Sequence, residues 1–171
     1  MRFEIEKSIF SYFPGMKIIA VVARDIQPLE NTATIKATLD DAWQRAATAS
    51  IEYENPQSHP FIKPWGEYMK VVGAPRKQFP NSIEAMVRQA GKGNAPISIN
   101  PLVDFYNAIS LKYLVPAGGF DIDALNNNLR LRFSQQGDTF LALAIRTGLK
   151  QFFGIDAEAH VLVESKNGIK L

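Results

Sequence analysis

Apolar and polar positions along the chain change period several times, and each change marks an element. Phe3 and Ile5 alternate with polar neighbours, which predicts a short strand. Lys17-Ile18-Ile19-Ala20-Val21-Val22-Ala23 is rich in β-branched side chains and entered through Pro14-Gly15, so a buried strand is expected there. From Thr34 to Ile51 the residues Ile35, Leu39, Ala42, Trp43, Ala46 and Ala49 recur at helical spacing and predict an amphipathic helix. Asn55-Pro56 closes it, because the residue before proline disfavours helical backbone. A second helix is expected over residues 60–71, with Phe61, Trp65 and Tyr68 or Met69 turned inward, before Gly73-Ala74-Pro75 breaks it.

Asn81-Ser82-Ile83-Glu84 has the form of a capped helix start, with a side-chain oxygen available to free backbone N–H groups and Glu84 three residues further on. Ile83, Met86 and Val87 are its expected buried stripe, and Gly91-Lys92-Gly93-Asn94 its exit. Leu102 to Leu114 is apolar enough for a largely buried helix, and Pro116-Ala117-Gly118-Gly119 then forces a turn. Leu129, Leu131 and Phe133 alternate with Arg130 and Arg132 as in a half-buried strand. A helix through Leu149, Phe152 and Phe153 stops at Gly154. Ala159, Val161 and Val163 alternate with His160, Leu162 and Glu164 in a final strand. Strands and helices intersperse without a βαβ rhythm, which favours an α+β fold with a mixed or antiparallel sheet.

Length and composition narrow the class. The 171 residues suit one domain, 1–171, and 46% hydrophobic with 21% charged residues is the composition of a globular chain. There is no cysteine, which excludes disulfides, thiolate metal sites and a cysteine nucleophile. The N-terminus mixes charge with apolar residues unlike a signal peptide, and no run is long enough to span a bilayer, so a cytoplasmic location with no membrane partner is the default expectation. The net charge of +2 is too small to argue a nucleic-acid partner, but its distribution is uneven. Asp25 to Glu54 holds six acids against two bases, and Lys63 to Lys92 six bases against two acids. Such asymmetry fits a phosphate-attracting face, and equally an unevenly charged solvated surface.

Candidate chemistry tests mostly bland. His59 and His160 have no partner at metal-ligand spacing, so neither a metal nor any other cofactor is expected, and hydrogen-bonded structural roles fit both. Gly91-Lys92-Gly93-Asn94 lacks the Gly-Lys-Ser/Thr ending of a phosphate loop and reads as a helix exit. Asp121 and Asp123, following Gly118-Gly119, read as turn and cap residues. The two Trp, five Tyr and eleven Phe fall mostly at core-facing positions, so no base-stacking platform is indicated.

Asn100-Pro101-Leu102-Val103-Asp104-Phe105-Tyr106-Asn107, the helix that follows, and Pro116-Ala117-Gly118-Gly119-Phe120-Asp121-Ile122-Asp123 form one ungapped frame. The frame resembles the editing domain of the phenylalanyl-tRNA synthetase beta subunit, called the B-three/B-four domain. It is more similar still to free-standing bacterial proteins of that family, through Tyr12-Phe13-Pro14-Gly15, His59-Pro60 before Trp65, and Ser82-Ile83-Glu84-Ala85. The resemblance implies an α+β fold of layered mixed or antiparallel β-sheets flanked by helices. It also implies a pocket for the aminoacylated 3′ end of tRNA and hydrolysis of a mischarged aminoacyl ester by a positioned water, without metal. In that frame Asn107 is the candidate catalytic residue, and Asn100, Tyr106, Gly118, Gly119 and Arg132 are candidate substrate contacts. Asp104 fits better as a brace of its own helix.

Two departures qualify the expectation. Gly118 stands where the synthetase motif has a histidine. After Leu143 the chain passes straight to the expected helix Ala144 to Phe153, so an internal segment of the family is expected to be missing near 143–144. A tRNA-binding domain that hydrolyses mischarged aminoacyl-tRNA in trans is therefore one expectation; a non-catalytic RNA-binding or amino-acid-binding module is the other.

Overall fold

The computed structural model of the chain describes residues 2–26, 32–53, 55–74, 77, 80–123, 125, 128–133 and 135, and the backbone of 161–164. They fall in two compact units: Met1–Lys17, Glu67–Pro80 and Phe120–Leu171 in the first, Ile18–Gly66 and Asn81–Gly119 in the second.

The first unit carries a three-stranded sheet in the order β1 (Phe3–Ile5), β2 (Leu129–Phe133), β3 (Val161–Glu164). Strand β1 runs parallel to β2 with Phe3 opposite Leu129, and β3 runs antiparallel to β2 with Val163 opposite Leu131. Helix α1 (Lys7–Tyr12) follows β1 and buries Ile9; Tyr12 meets Phe133 edge-on at 5.0 Å between ring centroids. In β2 the buried side chain is Arg132, while Leu129, Leu131 and Phe133 are half-buried, so the alternation expected from the sequence is shifted toward the arginine.

The second unit is helical. Helix α2 (Thr32–Glu52) buries Leu39, Ala42, Trp43 and Ala46, close to the stripe the periodicity predicts. It packs against α4 (Ser82–Gly91) and α5 (Pro101–Tyr113). These helices close a core with Ile83, Val87, Ala90, Ala108 and Leu111 from α4 and α5, and with Ile62 from the turn before α3 (Lys63–Val71). Trp43 anchors it twice: its ring is buried, and its Nε1–H donates to the Asn94 carbonyl at 2.7 Å, fixing the exit of α4. Asn81 caps α4 as its sequence predicts, its Oδ1 accepting the Glu84 N–H at 2.8 Å.

Three expectations are overturned. The described residues contain no layered sheets: they hold one small sheet whose longest strand has five residues, and a helical unit has its own core. The α+β layered-sheet fold class is therefore corrected to a helix-rich one. The run Lys17–Ala23 forms no strand, and Ile19 and Val21 are 89% and 84% exposed. A β-branched run supplies strand propensity, but pairing requires a neighbour with free backbone groups, and no described strand lies beside this one. Helix α5 is not largely buried either: Leu102, Phe105, Ile109 and Tyr113 are exposed, and Ala108, Ser110 and Leu111 face the core. The expected helix through Phe153 and the segment near 143–144 lie outside the described residues. Among the described residues no helix is long and apolar enough to cross a membrane.

Candidate functional site around helix α5

Helix α5 starts where local chemistry dictates. Asn100 is extended and its Oδ1 accepts the Val103 N–H at 2.9 Å, while Pro101 occupies the first helical position, where a missing N–H costs nothing. Asp104 is 4% exposed and accepts from Ser98 Oγ and from the Ile99 N–H at 3.0 Å, so it braces the segment entering its own helix. Its carboxylate in the first turn also complements the positive end of the helix dipole.

The helix ends on Leu114 in the left-handed conformation, φ 51°. Ser110, fully buried, donates its hydroxyl to the Val115 carbonyl, and its own carbonyl accepts the Val115 N–H at 3.1 Å. Ser110 thereby fixes how the glycine turn leaves α5. Tyr106 and Gly119 then approach closely: a Cβ built on Gly119 would lie 3.2 Å from Tyr106 Cε1, whereas one on Gly118 would meet nothing within 4 Å. Burial raises the Tyr106 hydroxyl above its ordinary pKa, with the Asp104 carboxylate adding to the effect, so the phenol stays neutral and able to donate. Asn107 is half-buried one residue further on, and its amide makes no hydrogen bond to any described residue.

Of the residues singled out from the sequence, the second unit thus holds Asn100, Tyr106, Asn107, Gly118 and Gly119, with Tyr106 and Gly119 in direct proximity. Asn100 has its oxygen committed to the helix cap, leaving its amide hydrogens for other contacts. Arg132 lies in the first unit, buried, with Nη1 donating to the Phe133 carbonyl at 2.8 Å. Asp121 accepts the Asp123 N–H at 3.0 Å, the turn role expected of it. Among the described residues no cluster of three potential metal ligands occurs.

Two positions escaped sequence reasoning. Ser110 is a hydroxyl within a largely apolar stretch, and that placement was the available signal. Glu84 was expected to complete a capping box, yet it is fully buried. Its Oε1 accepts from Gln57 Nε2 and Arg88 Nη2, each at 2.7 Å, and its Oε2 has no partner among the described residues.

These features make the second unit a helical scaffold presenting one amide-bearing helix and a glycine turn, and comparison with known proteins places it. A model of the B3/4 domain family matches residues 64–152, more than half of the chain, and the chain belongs to that family. It is also 27% identical over 151 residues to the phenylalanine–tRNA ligase beta subunit of Pectobacterium atrosepticum, a match covering 88% of this chain and 18% of that protein. The chain thus spans less than a fifth of that relative's length. No solved structure matches it.

Two substitutions probe the local geometry. Gly119→Ala is expected to displace the Tyr106 ring, because the new methyl carbon falls inside ordinary contact distance; Gly118→Ala is expected to leave it in place. Tyr106 ring chemical shifts check this, and equal shifts in both variants would contradict the packing. Asp104→Ala is expected to cost about 3 kcal/mol, since a buried acceptor of two hydrogen bonds disappears and leaves its donors unpaired. Asp104→Asn, which keeps one carbonyl oxygen, should cost about half as much in urea denaturation.

Proposed function

We propose that the chain binds the aminoacylated 3′ end of tRNA beside α5 and hydrolyses mischarged aminoacyl esters in trans. The observation that supports this most is that the region matched by the B3/4 family contains α5 and the glycine turn, where Asn107 carries an amide unengaged among the described residues. The similarity to a phenylalanine–tRNA ligase beta subunit supports tRNA as the partner.

In this reading Asn107 Oδ1 accepts a hydrogen bond from the attacking water and Nδ2–H₂ donates to the ester carbonyl oxygen as negative charge gathers there. The water oxygen bonds to the carbonyl carbon and the ester C–O bond breaks; one water proton passes to the departing terminal ribose oxygen, and the other is released as the new carboxyl group ionises. The products are free amino acid and uncharged tRNA. Gly118 and Gly119 let the substrate approach backbone N–H groups closely, and the neutral Tyr106 hydroxyl is a further donor. Asn100 contributes through its amide hydrogens.

Gly118 favours a second reading, binding without hydrolysis, because it provides no side chain where the resembled motif has a histidine. The two readings separate experimentally. Both expect tRNA binding that weakens as salt screens phosphate contacts. Only the first expects release of amino acid from tyrosine-charged phenylalanine tRNA or another mischarged tRNA. Absence of binding at low salt would overturn both.

A further inference from the structure

His59 closes a 3-10 turn, Pro56–Ser58, and leads into α3. Its Nδ1 accepts the Phe61 N–H at 3.1 Å, so the ring nitrogen facing that amide carries no proton. Its carbonyl accepts the N–H groups of Ile62 and Lys63, both at 2.9 Å, and Ile62 is a fully buried core residue. The imidazole meets Tyr53 edge-on at 4.6 Å and lies tilted 5.6 Å from Phe61. The preceding turn is tied down separately, through Gln57 Nε2 donating to buried Glu84 at 2.7 Å. The bond from Phe61 to His59 therefore sits between two fixed points, and it is the one whose acceptor titrates near neutral pH.

We propose that His59 is a pH-sensitive latch on the entry to α3: the neutral imidazole holds the turn through Nδ1, and protonation there releases it. A proton on Nδ1 would turn the acceptor into a donor aimed at another donor, so the Phe61 bond and the proton exclude each other. Burial lowers the histidine below its usual value and outweighs Glu52, the charged group at the end of α2 that favours the protonated ring; Tyr53 is the other titratable neighbour. Because folding lowers the proton affinity of His59, the latch contributes fully above about pH 6.5 and is lost as pH falls below that value.

The test is an NMR titration of the full chain between pH 8 and 5, following the His59 ring and the Phe61 amide. Both signals are expected to move together with one midpoint below about 6.5. Phe61 protection, corrected for intrinsic exchange, is expected to fall about fivefold, the loss of one ordinary hydrogen bond. His59→Asn places Oδ1 as a non-titrating acceptor and should keep Phe61 protected at every pH, while His59→Phe should lose that protection throughout. A His59 midpoint at or above the usual value with an unmoved Phe61 amide would overturn the latch. So would His59→Asn retaining the pH dependence of the native chain.

Discussion

Replacing Asn107 by alanine is expected to slow release of amino acid from mischarged tRNA by about 10²–10³-fold, the usual effect of removing one donor that meets developing negative charge. The fold should survive. Asn107 is half-buried and makes no hydrogen bond to a described residue, so no internal partner is stranded by its loss. Alanine is also the better helix former by roughly 0.5 kcal/mol, which puts any stability change on the favourable side. Asn107→Asp separates the two halves of the amide: it keeps an acceptor, removes the donor, and adds a charge one turn from Asp104. It should be as inactive as the alanine variant if the donor matters. Turnover unchanged in Asn107→Ala would remove this residue from the site, and activity lost together with helix content would make its role structural.

Trp43→Ala is expected to have the largest effect on stability, about 3–5 kcal/mol. The indole lies in the middle of α2's buried stripe, 5% exposed, among residues from α4 and α5. Its removal opens a cavity and also leaves the Asn94 carbonyl without its indole donor. Trp43→Phe restores most of the volume without the donor and should cost about 1–2 kcal/mol more than nothing but clearly less than alanine. Urea denaturation followed by far-UV circular dichroism measures both. An alanine variant less than about 1 kcal/mol destabilised would mean that this cluster is not what holds the helical unit together.

The helices were legible because their signals are local. Asn81 and Asn100 mark starts through an oxygen reaching a backbone N–H three residues away, and α2 shows its face by spacing alone. What lay beyond reading depends on partners distant in the chain. The β-branched run at 17–23 has strand propensity wherever it is placed, but only a neighbouring strand makes it one. Helix α5 is apolar nearly all round, so its sequence does not say which face meets α2; Ala108 and Leu111 do, while Phe105 and Ile109 do not. Phe61 and Ile62 show the same limit at one-residue scale: the sequence favours the larger ring as the inward residue, and the turn at His59 buries Ile62 instead.

For the site, residue chemistry alone had little to offer, since no acid–base pair, nucleophile or metal cluster occurs in the frame around Asn107. Asn107 became a candidate through the pattern of its neighbours. Asp104, the more conspicuous group, is occupied with Ser98 and Ile99. The close approach of Tyr106 and Gly119 required the fold, because twelve residues, a left-handed Leu114 among them, separate the two.

The most direct test is deacylation by the purified chain, without synthetase, of tyrosine-charged phenylalanine tRNA alongside a panel of other mischarged tRNAs. Amino acid released from at least one member faster than in buffer, with Asn107→Ala reduced to near the buffer rate, is the predicted result. No release above buffer from any member, while tRNA still binds in a salt-sensitive way, would contradict hydrolysis and leave a binding domain.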